Sequence, residues 1–228
     1  MHVPDGFINA PVSLAAGVVA VGGLAVCLRG ARRELDDRTA PMAGLVAAFI
    51  FAVQMLNFPV ASGTSGHLLG GALAAVLVGP YTGALCVAVV LLVQGVFFAD
   101  GGITALGLNI INMSLVTVVT GYLVFRGLTQ ILPYSNRSVV GSAFVAAFVS
   151  VPVASLSFVL FYAVGGTTDV SLGAVMTAMV AVHVLIGIGE AFITALTVGS
   201  IVAVRPDLVH GLRRRAPELV LRPSTATT

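Results

Sequence analysis

A histidine in second position, in Met1-His2-Val3-Pro4-Asp5-Gly6, is chemically special. The Met1 amine, the His2 backbone nitrogen and the imidazole Nδ1 can close fused five- and six-membered chelate rings on one metal ion. A planar array of nitrogen donors suits Ni(II), Cu(II) and, less selectively, Co(II). Pro4 fixes the backbone just beyond the chelate and Asp5-Gly6 signals a turn, so this segment is built to bend rather than trail.

A second imidazole, His67, follows the small-residue stretch Ala61-Ser62-Gly63-Thr64-Ser65-Gly66 and begins a short apolar segment. By itself it reads equally well as a helix-start histidine satisfied by water. Paired with His2 it would complete a four-nitrogen shell without thiolate or carboxylate. His183 and Glu190 lie seven residues apart, on one face of the last apolar segment. A carboxylate in mid-segment is costly in lipid and must face protein and hold a partner. A buried network that fixes helix packing is the favoured role of this pair, and a proton or metal relay the rival one. Asn109 and Asn112 occupy adjacent turns of the fifth segment and either bond helix to helix or steady the N-terminal segment. Gln54, Asn57 and Gln94 carry weaker claims. Cys27 and Cys86 stand far apart within apolar runs and read as small fillers, not a disulfide or a metal pair.

The elements that must position these residues are helices in a membrane. Hydrophobic residues make up 58% of the chain, charged residues 9%, and the mean hydropathy is +1.07, which excludes a soluble globular domain. Apolar segments run over 10–28, 40–57, 66–79, 81–98, 103–125, 138–163 and 171–204, without the alternation of a β-barrel. The fold expected is all-α and polytopic, a bundle of about seven transmembrane helices. Segment 66–79 is too short to cross comfortably and either tilts or re-enters. The start of the chain lacks the basic region and cleavage site of a signal peptide. Without a lysine, the chain has no Gly-Lys-Ser/Thr phosphate loop, so ATP binding here is not expected.

The arginines orient the bundle. With an extracytoplasmic N-terminus, all 11 fall on the cytoplasmic side: Arg29, Arg32, Arg33 and Arg38, then Arg126 and Arg137, then Arg205, Arg213, Arg214, Arg215 and Arg222. Asp5, Asp100 and Asp169 fall on the opposite side, with His2, His67 and the 57–66 loop. Residues 1–204 form the transmembrane domain, with 1–9 as its metal-binding segment. Residues 205–228 read as a basic, disordered cytoplasmic tail anchored by charge at the inner leaflet.

Met-His-Val-Pro-Asp-Gly-Phe at 1–7, Ser65-Gly66-His67-Leu68-Leu69-Gly70-Gly71, Asn109-x-x-Asn112-Met113 and His183…Gly187-x-Gly189-Glu190 together resemble the CbiM/NikM family. These are the substrate-capture (S) components of energy-coupling factor ABC transporters for cobalt and nickel, and the resemblance covers about residues 1–204. It implies a seven-helix S component in a prokaryotic plasma membrane, with its N-terminus tucked into the bundle from outside. It also implies a metal held by the Met1 amine, the His2 backbone nitrogen, the His2 imidazole and His67. Asp5, Ser65, Asn109, Asn112, His183 and Glu190 would then be supporting or structural residues. Transport would need a transmembrane T component, two ATPase subunits and, as an option, a small accessory membrane subunit; nucleic acid has no part. The cargo expected is Ni²⁺ or Co²⁺, and Pro4-Asp5 looks more like the nickel branch. Three rivals stand: a lone proton-coupled transporter working through His183 and Glu190, a vitamin-binding S component, and a membrane scaffold. A vitamin site would want aromatic walls, yet tryptophan is absent and aromatic residues are 7%.

Overall fold

The computed structural model describes every residue except 38, 57, 60–64 and 214–228. Arg38, Asn57 and the arginines of the tail beyond 213 therefore lie outside the described residues. Among those described, the chain forms α1 (Ala10–Glu34), α2 (Thr39–Gln54), a minimal hairpin of β1 (Phe58–Pro59) with β2 (Ser65–Gly66), α3 (Gly71–Val78) and α4 (Pro80–Phe97). A long helix α5 (Leu106–Ile131) follows, wound as a π-helix over Ile111–Val116, and then α6 (Asn136–Gly165) and α7 (Leu172–Val204). Five of these are long and apolar enough to cross a membrane: α1, α4, α5, α6 and α7. Leu14, Leu123, Leu160 and Leu196 point outward unpartnered, the surface a lipid solvent favours. The fold is all-α and polytopic.

Local chemistry sets the helix ends. Asn9, Ser135 and Ser171 each accept a backbone N–H three residues on and so cap α1, α6 and α7. The two central helices lack such caps and borrow carboxylates from elsewhere in the chain. Glu190 of α7 accepts the Leu69 and Gly70 amides at 2.6 and 2.9 Å, at the start of α3. Glu34, at the end of α1, accepts the Thr82 and Tyr81 amides at 2.7 and 3.3 Å, at the start of α4. In both places a glycine with positive φ, Gly70 at 77° and Gly79 at 97°, turns the chain so that its amides face the acid.

α3 is the axis of the bundle, buried along its whole length. Its apolar character follows from enclosure by protein, not from contact with lipid. Small residues allow that enclosure: any side chain at Gly83 would strike α3 backbone, and one at Gly121 would strike Ala72. Residues 67–69 enter this core without helical hydrogen bonds. Non-helical backbone at such depth survives only where side chains satisfy it. Here Glu190 takes two amides, Gln54 donates to the Leu69 carbonyl at 2.7 Å, and His67 donates to the Leu68 carbonyl at 2.7 Å.

The end of the bundle that holds Met1 also holds the 99–105 and 166–171 loops, with Asp5, Asp100 and Asp169. Arg29, Arg32, Arg33, Arg126, Arg137, Arg205 and Arg213 lie toward the other end. At that end the tail departs from expectation. Instead of leaving the bundle after Val204, the chain makes two short turns, Pro206–Leu208 and His210–Leu212, and buries Val209 and Leu212 beneath α3. Arg213 donates to the Glu34 carbonyl, Asp36 and Thr39. Two apolar side chains among the basic ones make this segment fold. Residues 205–213 therefore belong to the folded body, and the rest of the expected tail lies outside the described residues. Both cysteines are free and buried.

Candidate metal centre

The N-terminal segment is threaded into the end of the bundle and tied on two sides. Val3 donates its N–H to Asn109 Oδ1 at 2.8 Å, and its carbonyl accepts from Gly102 N at 2.8 Å and Asn109 Nδ2 at 3.4 Å. Asp5 accepts the Thr104 amide at 2.8 Å and the Thr104 hydroxyl at 2.5 Å, which holds its carboxyl below the usual range. On the other side Thr167 bonds the Gly6 and Phe7 carbonyls, and the Phe7 ring packs on Phe158 and Tyr162. Met1, His2 and Val3 are buried as a result. An α-amine taken out of water resists protonation. Burial brings the Met1 amine from an ordinary value of 8.0 down to about 4, partly opposed by the Asp100 carboxylate.

His2 meets His67 ring to ring, centroids 4.6 Å apart and planes tilted by 31°. The two imidazoles are presented differently. His67 is wholly buried, and its Nδ1–H is spent on the Leu68 carbonyl. That donation leaves Nε2 as a bare lone pair, and Nε2 has no hydrogen-bond partner. His2 Nδ1, the atom that would close the six-membered ring, lies 3.1 Å from Asp100 Oδ1. Desolvation lowers the His2 pKa, and the carboxylate works against that shift. The Met1 amine and His67 Nε2 are thus held as lone pairs, near the one negative charge of Asp100.

Asp100 is the residue that sequence reasoning placed only as an acid on the outer side. It approaches the site because Ala99 (φ 51°) and Gly101 (φ 94°) fold the loop tightly over His2. A non-glycine residue at positive φ marks a loop whose shape matters. The detectable signal was the run Ala99-Asp100-Gly101-Gly102 at the end of an apolar segment that ought to face His2.

The remaining candidates separate. Asn109 holds the N-terminal segment, whereas Asn112 accepts from Ser157 at 2.6 Å and joins α5 to α6. Glu190 serves the start of α3 and has both oxygens occupied by amides. Gln94 is buried at the end of α4 near His2, and Gln54 serves Leu69. Only the backbone of Ser65 is described, in the hairpin. His183 is buried and donates Nδ1–H to its own helix at Met179, 2.7 Å away. Among the described residues no three His, Cys, Asp or Glu side chains are grouped to hold a metal ion.

Residues 2–208 match the model of the CbiM family, described as the cobalt uptake substrate-specific transmembrane region. The chain belongs to the CbiM family. Relatives within it include an Archaeoglobus fulgidus protein provisionally named a fused nickel transport protein, NikMN, 40% identical over 210 residues, 92% of this chain and 68% of that one. The cobalt transport protein CbiM of Sorangium cellulosum is 31% identical over 226 residues, 95% of this chain and 99% of its own. Among solved structures, a crystal structure of a transition metal transporter superposes with a TM-score of 0.83 at 27% identity, covering 95% of this chain and all of the other. Like other CbiM-family proteins, the chain is a multi-pass membrane protein of cobalt and nickel transport.

Proposed function

We propose that this chain is the substrate-capture component of an energy-coupling factor importer and binds Ni²⁺ or Co²⁺ through nitrogen alone. The donors are the Met1 amine, the His2 backbone nitrogen, the His2 imidazole and His67 Nε2. The observation that carries the reading is a buried N-terminal amine and His2 beside an imidazole whose Nε2 is buried without a partner. Leaving a polar nitrogen unpaired in a core costs on the order of 1–3 kcal/mol, so its retention asks for a ligand. A coordinated, deprotonated backbone nitrogen reduces the ion's net charge to about +1, and Asp100 beside His2 offsets the remainder in the desolvated site.

In this reading the site end of the bundle is extracytoplasmic and the arginine-bearing end cytoplasmic, as the distribution of basic residues favours. A transmembrane T component and two ATPase subunits, with an accessory membrane subunit as an option, supply coupling and energy. The chain itself performs no catalysis. A lone proton-coupled transporter built on Glu190 fits poorly, because both oxygens of that carboxylate are engaged by the start of α3.

The test is equilibrium binding of Ni²⁺ and Co²⁺ to purified protein with a native start, to a form extended by two residues at the N-terminus, and to His67→Ala. Each change removes or caps a donor and is expected to weaken binding at least about 100-fold, the usual scale for a lost ligand or a disturbed ligand shell. Unchanged affinity in both would refute the site.

A further inference from the structure

His183 reproduces the features that single out His67. Its Nδ1–H is spent on a backbone carbonyl at 2.7 Å, it is wholly buried, and its Nε2 has no partner. It sits two turns before Glu190 on the face of α7 that grips residues 69 and 70. α7 also packs against residues 65, 66 and 68, on either side of His67, and the Met1 amine acts electrostatically on both imidazoles. The four-donor reading does not use this third imidazole.

A captured ion must leave again. Ions in a planar four-donor field exchange ligands associatively: an entering donor attacks along the open axis, and one of the original donors then departs. The entering donor has to be close and must hold a free lone pair. Solvent cannot supply it in a site this buried.

We propose that His183 Nε2 is the entering ligand for release, displacing the Met1 amine and so opening the N-terminal chelate. A bond forms between the ion and His183 Nε2 while the bond to the Met1 nitrogen breaks. Each nitrogen keeps its own electron pair, and no proton or electron is transferred in the step. With one arm free, withdrawal of the N-terminal segment breaks the two bonds to His2 in turn: water admitted as the segment lifts fills the vacated positions and returns a proton to the His2 backbone nitrogen, while His67 and His183 retain the ion. The inference rests on the capture reading above, and it assigns His183 to the rate of release, not to the affinity of the resting site.

The experiment loads full-length, native-start protein in detergent with Ni²⁺ and chases it with excess chelator, at concentrations where the rate no longer depends on chelator. His183→Gln, which keeps polarity and approximate volume, and His183→Asn are compared with wild type for Kd, release rate and Tm. Expected is a Kd within about threefold of wild type with release at least about tenfold slower, a barrier increase of about 1.4 kcal/mol. Equal release rates overturn the proposal and leave capture intact. Loss of affinity comparable to His67→Ala, with Tm preserved, also overturns it, because His183 would then belong to the resting donor set. Should both variants misfold, His183→Phe, which keeps a buried ring and removes the donor nitrogen, takes their place: slower release is expected, and a rate equal to wild type refutes the step. If wild type binds no Ni²⁺, the capture reading itself has failed.

Discussion

The buried amine at Met1 makes a quantitative prediction about protons. In a short free peptide Met-His-Val-Pro-Asp-Gly at pH 7, an amine of pKa about 8 is roughly nine-tenths protonated and an imidazole near 6.5 about one-quarter. Chelation there must expel those protons together with the backbone amide proton, about two per ion in all. In the folded protein the amine is brought to about 4 and the His2 pKa is lowered, both chiefly by desolvation, and His67 is held with a bare Nε2. The amide proton alone remains, so about one proton is released per ion. Isothermal titration of Ni²⁺ at pH 7 in buffers of different ionisation enthalpy measures this number directly. The same shift governs docking of the segment. A group whose folded pKa is lowered from 8.0 to about 4 binds its proton preferentially when undocked, so docking weakens as pH falls below 8. The loss is about 1.4 kcal/mol at pH 7 and about 4 kcal/mol at pH 5. Release of two protons by the protein, matching the peptide, would mean that the amine is solvated and would refute the reasoning.

Asn109→Ala removes both side-chain bonds to Val3 and leaves the Val3 amide buried and unpaired, so Ni²⁺ affinity should fall by about 10- to 100-fold with helicity by circular dichroism unchanged. Asp100→Asn removes the charge beside His2 and should weaken binding at least about tenfold, an effect read as Kd at constant Tm. Glu190→Leu orphans two amides at the start of α3 and should cost about 3 kcal/mol, seen as a lower Tm by thermal unfolding in detergent. Gly102→Ala places a Cβ against the Asp5 backbone nitrogen and should impair metal binding more than it lowers Tm.

Part of the candidate site could be read from residue types. His2 was informative because chelate chemistry depends on its distance from an amine, which is a property of sequence order. His67 was ambiguous alone and gained meaning from the arginine distribution, which put it at the same end as His2. Glu190 could be assigned to the bundle interior, since a lone carboxylate in an apolar helix needs a partner. Its partners could not be named, because they are backbone amides 120 and 121 residues away that any sequence supplies. The roles of Asp100 and Glu34 could not be read for a related reason. An acid near Gly-Gly or near arginines reads as a solvated turn until the loop's φ angles bring it inward.

Sequence alone determined the solvent and the helical class, because hydropathy and segment length are local properties of the chain. Tertiary structure decided that the His2 and His67 rings meet, that Asp100 comes beside His2 and that residues 205–213 close the far end beneath α3. Those outcomes depend on contacts between segments more than 60 residues apart, fixed only when α3 is enclosed and its unwound entry is satisfied by Gln54, His67 and Glu190.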